Sequence, residues 1–139
     1  METTIYNSIP TYAKEIRQKV FMNEQGFQNE FDKIDEIATH IVLFNEDQLP
    51  VSTCRVFWDT DMDSYIVGRL AVIKEYRGKH IGSIMLKEAE RYVQSEGGTC
   101  IALHAQCKAA AFYKKSGFLE YGDIEDDEGC PHVWMRKSV

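Results

Sequence analysis

The chain is short of the residues that would commit it to a special class. Three prolines and nine glycines in 139 residues are too few for a collagen-like, linker-like or low-complexity protein. The four cysteines, Cys54, Cys100, Cys107 and Cys130, include no CxxC pair, and no histidine lies at a zinc-binding spacing from them. That pattern argues against a disulfide framework and against a zinc site, and the cysteines read as reduced thiols, with Cys54 and Cys100 in apolar, strand-like runs. Long apolar runs are missing too. The longest, YIVGRLAVI, is short and carries an arginine, so no transmembrane helix is expected. The first residues, METTIYNSIP, lack a basic stretch followed by an apolar one, so no secretory leader is expected either and the expected compartment is the cytoplasm. Positive charge is scarce: 16 Lys and Arg stand against 22 Asp and Glu, a net charge of −6. Such a surface repels a phosphate backbone, which argues against nucleic acid as a partner, and it suits cationic ligands such as amines.

What remains is an ordinary globular composition, 44% hydrophobic and 27% charged, at a length that fits one domain over residues 1–139 with a single modest core. TTIYNSI reads as a short first strand. Pro10 fits a helix first turn, and Ile9, Ala13, Ile16 and Val20 recur at helical spacing, predicting a helix to about Met22. Residues 23–37 read as an acidic loop with one or two helical turns. THIVLFNE and VSTCRVFWD, separated by DQLP, read as a hairpin. SYIVGRLAVIKE is a long β-branched strand in which Gly68 suggests a bulge or a close backbone approach. From residue 81 onward, Ile81, Ile84, Met85, Ala89, Tyr92 and Val93 mark one face of a helix that Gly97–Gly98 ends. TCIALHA is a further strand, KAAAFYKKS a short helix, and FLEYGDI and PHVWMRK two last strands, with EDDEG as an acidic turn between them. The fold class is α/β (α+β): a mixed, mostly antiparallel central sheet of six to seven strands flanked by about four helices.

The most informative stretch is YRGKHIGSIMLKEAERY, residues 76–92. It places a cationic, glycine-bearing turn on a helix N-terminus. Unpaired N–H groups and the positive end of the helix dipole meet there, and small residues let an anion come close. Arg77 and Lys79 add full charges, so the turn suits phosphate or pyrophosphate. The spacing fits neither a Walker A loop nor a G-x-G-x-x-G dinucleotide turn.

The same residues, read with the strand before them, resemble motif A of the GNAT superfamily of N-acetyltransferases, Q/R-x-x-G-x-G/A, which follows a long strand and opens a helix. Arg77 matches its first position and Gly82 its last, while His80 replaces the middle glycine. QCKAAAFYKKSGF, residues 106–118, is similar to the family's N-x-x-A-x-x-x-Y-x-K-x-G-F, with Ala109, Tyr113, Lys115, Gly117 and Phe118 in place and Gln106 where asparagine is usual. VFMNEQGFQNEFDKIDEIATHIV and GCPHVWM resemble the bacterial ElaA-like branch.

The resemblance implies acetyl-coenzyme A as acyl donor. It puts the pyrophosphate on the N–H groups of Arg77, Gly78, Lys79, His80, Ile81, Gly82 and Ser83, and the pantetheine arm along Leu70, Ala71 and Val72. The Val72 N–H would polarise the thioester carbonyl. Gln106, Ala109 and Phe112 complete the implied cofactor contacts. Tyr113 would return a proton to the leaving thiolate; the other reading of Tyr113 is a packing aromatic. A lysine-like amine is neutral in only about one molecule in ~10³ at physiological pH, so a base is needed, and Glu24, His40 and His132 are the candidates. The acceptor implied is a primary amine of a small molecule or peptide. Dimers are common in the family, so a homodimer is compatible with it. A non-catalytic acyl-coenzyme A binding module is the competing reading, because Arg69 stands on the strand where some relatives place a glutamate.

Overall fold

The structure is a computed structural model that describes residues 1–139. Seven strands form one sheet in the order β1-β2-β3-β4-β5-β7-β6. They are β1 (Glu2–Tyr6), β2 (Thr39–Phe44), β3 (Pro50–Asp59), β4 (Ser64–Val72), β5 (Cys100–Gln106), β6 (Leu119–Asp127) and β7 (Cys130–Ser138). Every neighbouring pair is antiparallel except β4–β5. The helices are α1 (Thr11–Arg17), α2 (Ile34–Ile37), α3 (Ile81–Ser95) and α4 (Ala110–Lys115). No helix is long and apolar enough to cross a membrane. The mixed α/β architecture expected from the sequence, with six to seven strands and about four helices, is the one observed.

Alternation along β3 sets the two faces of the sheet. Cys54 and Val56 point into the main core, where they meet Ile81, Met85, Leu86, Ala89 and Val93 of α3 and Phe118 after α4. On the other face, Ile16, Val20 and Phe21 pack on Ala71. That face also buries polar residues. Arg17, 1% exposed, holds Glu30 (Nε–Oε2 2.7 Å) and Asp35 (Nη1–Oδ1 2.7 Å). Arg55 bonds the same Asp35 oxygen at 2.9 Å and Asp32 at 2.6 Å.

Local details depart from the sequence reading in four places. The first α-helix stops at Arg17, and a π-helical segment, Gln18–Glu24, continues it, with the Gln25 N–H reaching the Val20 carbonyl at 3.2 Å. Such segments recur at functional sites, and Val20 and Phe21 of this one, with Gln25 just after it, line a cavity beside β4. On α3 the buried stripe is Ile81, Met85, Leu86, Ala89 and Val93, while Ile84 is 39% exposed. The β4 bulge falls one residue past Gly68. Gly68 pairs with Arg55 and Ala71 with Thr53, so three steps on β4 match two on β3, and Arg69 takes φ +52°. Finally, EDDEG is mostly strand. After an irregularity between Tyr121 and Glu125, β6 resumes with Glu125 opposite His132 and Asp127 opposite Cys130, leaving Glu128 and Gly129 as the turn.

Candidate functional site

The site begins where β4 and β5 part. They pair only at Tyr65–Ile101 and Ile66–Ala102. Past the Arg69 bulge β4 stays with β3, and β5 turns to β7. The Ile73 N–H donates to Val51 on the β3 side at 3.0 Å. Backbone groups alternate along a strand, so the N–H and carbonyl of Val72 face the opposite way, into the wedge. A cavity of about 380 Å³ fills it. Leu70, Ala71 and Val72 form one wall, and His104, Ala105 and Gln106 the other. Ala109, Phe112 and Tyr113 close it from the side of α4, and Phe27, Glu30, Arg69, Asp127, Glu128 and His132 lie at its far end.

At the near end is the turn before α3. Gly78 and His80 both have positive φ, +77° and +61°. This geometry turns successive N–H groups to one side, and none from Gly78 to Ser83 has a hydrogen-bond partner in the chain; the first helical bond is Ile84 N–H to the His80 carbonyl, 3.1 Å. A second cavity of about 220 Å³ lies against these residues and shares Val72, Arg77, Gly82 and Phe112 with the first. A Cβ on Gly82 would come to 3.2 Å from Phe112 Cζ, so glycine keeps the passage between them open. An arc of six free N–H groups at the start of a fifteen-residue helix, leading to a strand edge that offers the Val72 N–H, fits an elongated ligand with an anionic end and amide groups along its length. A pyrophosphate joined to a pantetheine arm has that form.

The sequence-predicted catalytic residues separate in space. Tyr113 lines the cavity, its hydroxyl has no hydrogen bond in the chain, and burial pushes its phenol well above the ordinary range. It also packs edge-on against Phe112 and Phe118, so both readings of this residue have a physical counterpart. His132 is buried at the far end. Its Nδ1 lies 2.8 Å from the Cys130 carbonyl, which can only accept, so Nδ1 carries the proton and Nε2 keeps a lone pair. Glu24 is exposed and lies outside the main cavity. A two-pronged ion pair with Arg77 holds its carboxyl below the usual range, the opposite of what a base needs. His40 is buried on the α1 side, with Nε2 3.0 Å from the Asp35 carbonyl and burial lowering its pKa, and it does not reach the cavity. The physical reason is strand parity: His40 shares a face with the arginine–carboxylate cluster. Cys54 is fully enclosed, its thiol pushed up to about 12 by burial, and is chemically quiet.

Several lining residues were not legible in advance. Glu30 comes from the segment read as loop. It is 3% exposed, its Oε2 takes Arg17 and Arg69 (3.1 Å), and its Oε1 has no hydrogen bond. Burial raises its carboxyl against the pull of Arg69 and Arg17. Glu128 accepts the Gln28 and Asn29 N–H groups at 3.0 and 3.2 Å, tying the β6–β7 turn over the cavity. His104 is brought in by the β5–β7 register, and the only sequence signal was its alternation with Ala102 and Gln106 on one strand.

Comparisons with known proteins agree with this geometry. A family model described as an acetyltransferase (GNAT) domain matches residues 9–139. A Bacillus subtilis protein named as an acetyltransferase is 35% identical over 137 residues, covering 91% of this chain and 87% of that protein. ElaA of Escherichia coli is 26% identical over 129 residues, covering 90% and 84%. Among solved structures, a protein described as an N-acetyltransferase from Lactobacillus plantarum superposes with a TM-score of 0.87 at 30% identity, over 99% of both chains. An aminoglycoside 6'-N-acetyltransferase, complexed with coenzyme A, shares the fold at a TM-score of 0.77 and 15% identity, over 99% of this chain and 97% of that one.

Proposed function

The chain is an N-acetyltransferase of the GNAT family, and from that premise we propose that it acetylates the primary amine of a small molecule or peptide by direct attack on acetyl-coenzyme A. The observation that carries the reading is the continuity of two features. The unpaired N–H arc from Gly78 to Ser83 leads past the free N–H of Val72 into the cavity lined by Tyr113 and His132.

Acetyl-coenzyme A, the acyl donor of the family, supplies an activated thioester. The residues of the chain do the rest. The N–H groups of Gly78, Lys79, His80, Ile81, Gly82 and Ser83 hold the pyrophosphate, with Arg77 and Lys79 adding charge. Leu70 and Val72 offer backbone partners to the pantetheine amides, and the Val72 N–H donates to the thioester oxygen as negative charge develops there. Gln106, Ala109 and Phe112 line the opposite wall, where Gln106 is braced by Gln25 at 2.8 Å. His132 Nε2 takes a proton from the acceptor ammonium. Restoring the neutral amine costs about 4 kcal/mol at physiological pH for a lysine-like pKa, which is the work asked of this base and of the buried site. Tyr113 donates its hydroxyl proton to the departing thiolate; burial keeps the phenol protonated beforehand, and it works against the transfer itself by disfavouring the tyrosinate left behind.

Calorimetric titration with acetyl-coenzyme A, on the parent chain and on Arg77→Ala and Gly82→Trp, tests the donor half. Binding by the parent, about tenfold weaker in Arg77→Ala and lost in Gly82→Trp, supports the cradle. A panel of primary amines (a diamine, an aminoglycoside, a lysine peptide), read by thiol release, tests the acceptor half. Binding without release on any amine would return the chain to a non-catalytic acyl-coenzyme A binding role.

A further inference from the structure

The mechanism above leaves one polar group of the cavity unused. On β5, His104 lies opposite Trp134 of β7 and one diagonal step from His132. It stacks on Trp134 with centroids 4.7 Å apart and lies 4.9 Å from the His132 ring, tilted by 35°. Both imidazoles line the cavity. His104 Nε2 is enclosed and has no hydrogen bond. Its nearest ionic neighbour is Glu125 Oε1 at 3.5 Å, on β6, where the Glu125 side chain is 58% exposed.

A histidine that merely fills a core satisfies its buried nitrogens. Here an unsatisfied nitrogen stands between a second imidazole on the cavity side and a carboxylate on the solvent side. Two imidazolium ions with centroids 4.9 Å apart repel strongly, so a positive charge on one ring disfavours a second on the other. The charged groups facing His104 are the carboxylates of Glu125 and Asp127 on β6 and the His132 ring on β7. Burial and His132 hold His104 in its neutral form, and the two carboxylates oppose them. The edge-on Phe27 ring adds no charge on the His132 side.

We propose that His104 and His132 act as one proton-accepting unit for the acceptor amine, with Glu125 drawing the accepted proton to the outer ring. The ammonium N–H bond breaks and an N–H bond forms at His132 Nε2. A water in the cavity then relays the proton: the His132 Nε2–H bond breaks, an N–H bond forms at the free His104 Nε2 against Glu125, and that bond breaks in turn as the proton leaves to solvent, so both rings return to neutral. His104 is therefore a positioning residue, acting through His132. The inference rests on the reading of His132 as the base.

Long-range ¹H–¹⁵N spectra of the full chain across pH test the unit without a substrate. Four histidines make assignment by single substitution direct. In the parent, His132 is expected as the Nδ1–H tautomer. In His132→Asn, His104 should titrate higher, by on the order of one pH unit, because a like charge is gone; in Glu125→Gln it should titrate lower. Glu125→Gln alters only an exposed side chain, so it remains informative should either histidine variant fail to fold. A His104 titration unmoved by both changes overturns the proposal. With an amine that supports thiol release, His104→Asn should shift the acid limb of kcat/KM and leave KM for acetyl-coenzyme A unchanged, an effect that lost packing does not produce. An unshifted limb overturns the proposal as well. Failure of all amines would sink the functional reading while the spectra still decide whether the two rings are coupled.

Discussion

Arg77 reaches back across the mouth of the wedge and holds the carboxylate of Glu24 with both arms of its guanidinium, one of them at 2.8 Å. Its Nε meanwhile donates to the Val72 carbonyl at 3.0 Å. The pair joins the end of the π-helical segment to the turn before α3, 53 residues away. A pyrophosphate bound there, as proposed above, would compete with Glu24 for the same fork. Both side chains are more than a third exposed, and such pairs are worth at most about 1 kcal/mol. Glu24→Gln should therefore tighten acetyl-coenzyme A binding, by up to about fivefold. Arg77→Ala should weaken it by about tenfold, the loss of one charge-assisted contact. Weaker binding in Glu24→Gln would mean that the carboxylate organises the turn rather than competing for it.

His80 occupies the left-handed region, φ +61° and ψ +19°, at the N-cap of α3. Glycine relieves a strain of about 1 kcal/mol there, but it also adds back a similar unfolded-state entropy. His80→Gly should leave the melting temperature almost unchanged. The N–H arc keeps its geometry, so acetyl-coenzyme A affinity should stay equal or improve. A large loss of affinity in calorimetry would show that the imidazole itself contacts the ligand.

Tyr113 separates the catalytic and packing readings cleanly. Its hydroxyl bonds nothing in the chain, and its ring packs between Phe112 and Phe118. Tyr113→Phe keeps the packing and removes only the hydroxyl. Stability and acetyl-coenzyme A affinity should hold, while turnover falls about 10²-fold or more, the usual worth of a positioned acid. Unchanged turnover would leave the residue a packing aromatic.

These expectations also mark what was legible in the sequence. The glycine-bearing turn that opens α3 was readable because its requirement is local: an arginine, two glycines and a helix start within six residues. Tyr113 was readable for the same reason, carried by spacing within one segment. The acceptor end was not. His104 and His132 meet only through the register of two strands almost thirty residues apart. Glu30 enters from a segment without periodicity, fixed in place by Arg17 and Arg69. Asp127 and Glu128 reach the cavity because β6 resumes after its irregularity, where the acidic run alone suggested a solvated turn. His40 misled for a related reason: a histidine at a strand start has no visible face until the pairing is known.

The cluster on the α1 face gives the protein an acid limit. Burial pushes the Asp35 carboxyl up, but hydrogen bonds from Arg17, the Asp32 N–H and Arg55, with the Arg17 charge, outweigh it and hold the pKa at about 2. The unfolded value is 3.8, so the folded value is depressed. Such a carboxylate stabilises the fold above the unfolded pKa and loses that contribution as pH falls through the folded one. The difference corresponds to about 2 kcal/mol, and Glu30, raised by burial, offsets part of it at neutral pH. Denaturant midpoints should thus fall between about pH 4 and pH 2. Asp35→Asn should flatten that slope while lowering stability at pH 7. Arg17→Met should cost about 3–5 kcal/mol, since it leaves Glu30 and Asp35 buried without their shared cation. A parent midpoint that stays constant from pH 4 to pH 2 would show that Asp35 keeps no more charge in the folded chain than in the unfolded one.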